Sequence, residues 1–130
     1  MNSVKSSVLI LDELVFDKIE FTRHDLKNDN ELEFNLKAKA GRNNDGIYRV
    51  VLTLEAEKPE EYTIEITISG FFSFKESENL SDELKETLIN RNAVAIIMPY
   101  LRSQMSLLTA QPGMECVVLP PFNVSDILNK

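Results

Sequence analysis

The chain has 130 residues, 43% of them hydrophobic and 27% charged, a balance that fits one soluble domain large enough for a real core. Its formal net charge of −7, with no local Lys/Arg stripe, repels phosphate backbones and excludes nucleic acid as an expected partner. A single cysteine, Cys116, and a single histidine, His24, exclude an intramolecular disulfide and a His/Cys metal site, which predicts a reducing cytoplasmic setting and no cofactor.

The first segment is SSVLILDELVFDKIEF, residues 6–21. Asp12 and Glu13 interrupt its apolar run, so neither a signal-peptide core nor direct membrane insertion is expected. Leu11, Leu14 and Val15 fall at helical spacing, yet the β-branched and aromatic content and the Ile19/Phe21 alternation favour a long irregular strand. Alternation is clear in the next segment, where Leu32, Phe34, Leu36, Ala38 and Ala40 are spaced by two. The turn cluster GRNNDG, residues 41–46, leads into the strand IYRVVLTLEAE. Lys58-Pro59-Glu60-Glu61 predicts another turn. The last strand, YTIEITISGFFSF, places Tyr62, Ile64, Ile66 and Ile68 on one face. Gly70 predicts a bulge or a close backbone approach.

After Phe74 the period changes. Ser81 is an N-cap candidate, with Asp82 and Glu83 in the first helical turn. Val94, Ile97, Met98, Leu101, Met105 and Leu108 then form a helical stripe. Pro99 within it predicts a kink or the start of a second helix. Gln111-Pro112-Gly113 ends the stripe. An extended loop follows, then a short helix at about Val124 to Leu128, capped by Asn123 or Ser125. Together these elements predict one α+β domain over residues 1–130. Its four-stranded antiparallel sheet carries a long kinked helix, a crossover loop and a short C-terminal helix on one face.

No constellation in the sequence points to an enzyme. His24 beside Asp25 reads as a surface histidine, and Cys116 has no neighbouring base or cation to make it a thiolate. The acids Glu76, Glu78, Asp82, Glu83 and Glu86 lack the alternating spacing of a calcium loop. Two helices cover only one face of a sheet, so apolar residues on both faces of IYRVVLTLEAE are left for oligomerisation or for partners. Met98 and Met105 read as core, and Met114, in a loop, as adaptable binding surface.

Several of these residues carry a family resemblance. Asn92…Pro99-Tyr100-Leu101-Arg102 and Leu119-Pro120-Pro121-Phe122-Asn123 resemble the C-terminal half of the SecB family of protein-export chaperones. Leu9-x-Leu11-x-x-Leu14 with Ile19-x-Phe21, then Gly46 to Leu52, then Glu65-Ile66 with Gly70 and Phe72, are similar to its strands in the same order. The resemblance implies an ATP-independent holdase for unfolded polypeptides, a homotetramer built as a dimer of dimers, working in protein export. It implies a client groove at Tyr62, Met114, Val117, Leu119, Phe122, Ile127 and Leu128, and core or subunit packing by Val94, Met98, Leu101 and Met105. Family members dock the export motor SecA through acids on the sheet, and Glu65 is the matching residue here. Two features depart from the pattern: Lys18 and Thr22 stand where sheet acids are expected, and Lys130 follows closely on the final helix. They raise an alternative, a SecB-like chaperone or interaction module dedicated to one partner, such as an antitoxin, without SecA docking.

Overall fold

Alternation along Tyr62–Phe74 sets the plan of the molecule. Tyr62, Ile64, Ile66 and Ile68 are buried on one face, while Thr63, Glu65 and Thr67 remain half-exposed on the other. The computed structural model describes residues 8–75 and 79–122. Within them β1 (Leu9–Arg23), β2 (Glu33–Arg42), β3 (Tyr48–Lys58) and β4 (Tyr62–Phe74) form a four-stranded antiparallel sheet, ordered β1-β4-β3-β2. The expected sheet is present, with β1 and β2 as its edges. The short helix expected at about 124–128 lies outside the described residues.

The first strand is irregular for a definite reason. Its pairing with β4 slips between Leu11 and Glu13 and again between Phe16 and Lys18. Each slip adds one residue and reverses the inward parity. Leu9 and Leu11 face Phe74 and Phe72, Leu14 and Phe16 face Gly70 and Ile68, and Ile19 and Phe21 face Ile66 and Ile64. A 2-3-2-3-2 spacing is a strand with two bulges. The second bulge also turns Asp17 towards Arg49 and Ser69, whose hydroxyl donates to the Asp17 carboxylate.

One face of the sheet carries the helices. Ser81 caps α1 (Asp82–Leu88), accepting from the Leu84 amide at 3.1 Å. A π-helical turn, Ile89–Ala93, joins it to α2 (Val94–Thr109) and buries Ile89 and Ala93. The break in α-geometry thus lies upstream of Pro99, and no second helix starts at Pro99. Pro99 deprives only the carbonyl of Ala95, an exposed residue whose oxygen water can satisfy. The stripe Val94, Ile97, Met98, Leu101 and Met105 is buried against β3 and β4. Gly70 is the point of closest approach, because a Cβ there would stand 2.7 Å from Ile97 Cδ1 and 2.8 Å from Phe72 Cε1. Of the two roles expected for this glycine, close approach is the one realised; the bulges belong to β1.

At the other end, the β3–β4 turn is fastened to the β1–β2 connection. Pro59 and Glu60, the latter at φ 69°, with Glu61 N–H donating to Lys58 O at 2.9 Å, fit a type II turn. The Glu61 carboxylate is fully buried. It meets the Lys58 ammonium at 3.0 Å and accepts from the Asn28 amide at 2.9 Å. The side-chain amides of Asn28 and Asn30 both donate to Pro59 O, and the amides of His24 and Asp25 to Glu61 O. Burial opposes ionisation of Glu61, but the Asn28 amide and the Lys58 ammonium outweigh it and hold the carboxyl below its usual range.

Gly70→Ala is expected to destabilise by about 2 kcal/mol through overpacking, and Ile97→Val, which removes the clashing methyl, is expected to restore part of that loss. Urea unfolding of the two single variants and the double variant measures the coupling; strict additivity would refute the contact. Glu61→Gln is expected to cost about 3 kcal/mol at neutral pH by leaving Lys58 buried without its partner. Because the folded pKa lies below the unfolded one, this stabilisation is present above the unfolded carboxylate value and lost as pH falls through the folded one. The gap in stability between wild type and variant should therefore close on acidification, and a gap independent of pH would contradict the assignment.

Candidate functional site

After α2 the chain turns at Gly113, whose φ of 81° suits glycine, and runs back along the helix to Phe122. This backbone forms no strand or helix of its own, so side chains of α2 supply its partners. Arg102 directs Nε and one Nη to the carbonyl of Leu119, at 3.1 and 2.9 Å. Ser106 donates to Val117 O at 2.8 Å, and the Val117 amide donates to Thr109 Oγ1 at 2.8 Å. Spacings of four and three place Arg102, Ser106 and Thr109 along one face of the helix. Three polar side chains thereby fix the register of an otherwise irregular segment.

That register decides which apolar groups point inward. Leu119 is 1% exposed and belongs to the core, while its neighbour Val118 is 77% exposed. Met114, Val117 and Phe122 are half-buried against the core. Phe122 meets Phe34 of β2 edge-to-face, with ring centroids 5.6 Å apart. On the outer side, Val118 faces Leu107, which is 69% exposed, across a cleft of about 640 Å³ floored by Pro99, Arg102 and Ser106. Tyr100, half-exposed, lies nearby in sequence on the same helix. An apolar surface on a polar-clasped loop can take up apolar side chains without demanding a particular sequence.

The residues expected in a client groove are thus distributed unequally. Tyr62 is 2% exposed and packs on Phe21 with centroids 5.7 Å apart. Leu119 is likewise internal, and Val94, Met98, Leu101 and Met105 are buried within the chain's own core. Met114, Val117 and Phe122 are half-buried against the core, and Ile127 and Leu128 lie outside the described residues. Val118, Leu107 and the clasp residues Ser106 and Thr109 were not singled out by sequence. Their one signal is hydroxyls at helical spacing beside an apolar stripe.

The opposite face of the sheet is polar and charged. Register places Glu20, Glu65 and Glu55 side by side on β1, β4 and β3, with Glu57 and Glu33 paired one step along. They line a shallow depression of about 470 Å³. Lys18 lies 3.2 Å from Glu65 and 3.8 Å from Glu20, and Lys37 lies 3.2 Å from Glu55. The hydrogen bond to Glu65 raises the Lys18 pKa, and that from Lys37 lowers the Glu55 pKa. Glu65, the acid expected for partner docking, is thus accompanied by four others that only strand pairing reveals. Among the described residues no group of three or more His, Cys, Asp or Glu could hold a metal ion, and no helix is long and apolar enough to cross a membrane.

Known proteins are similar to this chain in sequence or in fold. An uncharacterized protein of Methanocaldococcus jannaschii is 27% identical over 130 residues, covering 96% of this chain and 77% of the relative. The fold matches that of the SecB-like chaperone Rv1957 of Mycobacterium tuberculosis, solved in complex with a ChAD peptide from the HigA1 antitoxin. The TM-score is 0.74 at 9% identity, over 93% of this chain and 92% of that one. Residues 11–130 match the family described as preprotein translocase subunit SecB, and the chain belongs to the SecB family.

Proposed function

We propose that this protein is a holdase chaperone that binds non-native polypeptide on apolar surface, without ATP and without catalysis. The observation that carries the reading is the clasped loop, which holds Val118 in water beside the exposed Leu107 of α2, while Met114, Val117 and Phe122 stay half-buried and Phe122 reaches Phe34 of β2. Exposed aliphatic groups cost solubility, and a chain of net charge −7 tolerates them. At ~25 cal/mol per Å², a few hundred Å² of client surface buried at each site gives useful affinity, and several sites in one homotetramer add avidity. Sedimentation at micromolar concentration tests that assembly.

Family membership supports protein export in the cytoplasm as the setting, with the acids around Glu65 as the surface that would meet SecA. A second reading is a chaperone dedicated to one partner. It is favoured by the Lys18 ammonium on Glu65, which neutralises the centre of that surface, and by the antitoxin peptide bound to the related fold of Rv1957. Titration with SecA separates the two: micromolar binding abolished by Glu65→Lys supports export, and no binding supports the dedicated role.

The holdase reading is tested by light scattering from a denatured client diluted into buffer without nucleotide. Suppression is expected at roughly one oligomer per client, and its absence would sink the proposal. Leu107→Asp and Val118→Asp are expected to weaken suppression with thermal stability changed by less than about 0.5 kcal/mol, as for other surface positions. Leu119→Asp should instead cost about 3 kcal/mol or more, because it buries a carboxylate without a partner. Equal stability losses at residues 118 and 119 would show that the loop is not held as described.

A further inference from the structure

Arg42 breaks the pattern of its own strand. The inward positions of β2 run Phe34, Leu36, Ala38 and Ala40, and the next in the series is an arginine. Its guanidinium lies over the Tyr48 ring, 5.8 Å from the centroid, and donates to the Tyr48 hydroxyl at 3.4 Å. Tyr48 in turn meets Phe74 edge-to-face at 5.7 Å, and the Lys85 ammonium of α1 lies 5.9 Å from the Phe74 centroid. Two cations are thus held at the ends of an aromatic pair, by rings rather than by acids. Both line one cleft of about 590 Å³, together with Lys75 and the partly exposed Ile10. Among the described residues Asp45 is the one carboxylate on its wall. No ion pair joins Arg42, Lys75 or Lys85 to an acid among those residues. The Tyr48 hydroxyl raises the Arg42 pKa, and the charges of Asp82 and Glu86 on α1 add to that more weakly. In a chain of net charge −7, three cations facing one acid across a cleft are an uneven placement.

We propose that this cleft docks an acidic polypeptide segment, whose side-chain carboxylates meet Arg42, Lys75 and Lys85. A guanidinium lying over a ring keeps its N–H edge for a carboxylate, which it takes with two donors. Arg42 and Lys85 are spaced along the cleft with two rings between them, and that spacing suits carboxylates carried at intervals on one chain better than a single phosphate group. The rings already position both cations, so little side-chain freedom is lost when the partner arrives. The site does not rest on the holdase reading. It is defined by charge, and it lies at the opposite end of β2 from the Phe34 that Phe122 meets.

The test uses the full chain and a fluorescent peptide of about nine residues alternating Glu and Gly, roughly 30 Å long when extended. It carries no apolar side chain for the other surfaces to hold. Anisotropy should show binding that weakens as ionic strength rises from about 0.05 to 0.15 M, and no binding of the same peptide with Gln in place of Glu. Arg42→Gln and Lys85→Gln should each weaken binding by about threefold or more. Lys85→Arg should keep it, and so should Lys39→Gln, which alters the opposite face of the sheet. Should Arg42→Gln fail to fold, the two Lys85 variants decide the matter. Absent binding, binding indifferent to Lys85→Gln, or an equal loss with Lys39→Gln would overturn the proposal. Displacement of the peptide by an equal concentration of tripolyphosphate would assign the cleft to phosphate and overturn it too. Growth in mass of the protein alone, abolished by Lys85→Gln, would assign the cleft to the acidic face of a second copy, with the same consequence. Suppression of client aggregation is read separately, so none of these outcomes decides the holdase reading.

Discussion

Ile97 reaches the sheet where Gly70 leaves no side chain, and the position of the helical layer follows from that contact. With the helix seated there, Leu101 and Met105 fall over the central strands, and the opposite face of α2 is left towards solvent. A single helical layer cannot cover both the sheet and itself. The chain lays the loop from Gln111 to Phe122 along the flank of α2 that carries Arg102, Ser106 and Thr109, and the face opposite the core, with Leu107, stays exposed.

The loop is held by hydrogen bonds rather than by burial alone, which is why it can carry apolar groups outward. A loop fixed only by the hydrophobic effect would turn Val118 inward with Leu119. Arg102 prevents this by taking the Leu119 carbonyl with two donors, so the backbone direction is set independently of side-chain greasiness. The arrangement separates two roles that composition mixes: Leu119 completes the core, and Val118 is free to meet another chain.

Much of this is legible in the sequence wherever a period exists. The alternation in β2, β3 and β4 gives both strands and faces, and the stripe from Val94 to Met105 gives the buried side of α2. Where no period exists, legibility stops. β1 contains two bulges, so its inward residues mimic a helix locally and only pairing with β4 restores their order. The loop from Gln111 to Phe122 has composition but no repeat, and its facing is decided by helix side chains eight to seventeen positions away. Glu61, which the sequence marks only as part of a turn, is buried because Asn28 and Lys58 meet it there. The acid group around Glu65 is invisible until register brings five carboxylates from four strands together.

The two faces of the sheet then differ in what they can recognise. The helix side offers aliphatic and aromatic groups, whose attraction is indifferent to sequence. The outer face offers carboxylates, and charge attraction there is selective for sign and weakens with salt. A binder of many chains needs the first property, and a docking surface for one partner needs the second. Under the proposed function, placing them on opposite sides of four strands would let one chain hold a client while a partner reads the other side. Lys18 bears directly on that second use, since its ammonium lies against Glu65 at the centre of the acidic row. Under the proposed function a basic partner would have to compete with Lys18 for Glu65 but would find Glu33 and Glu57 outside the reach of that lysine, so the margin of the patch, more than its centre, would govern docking.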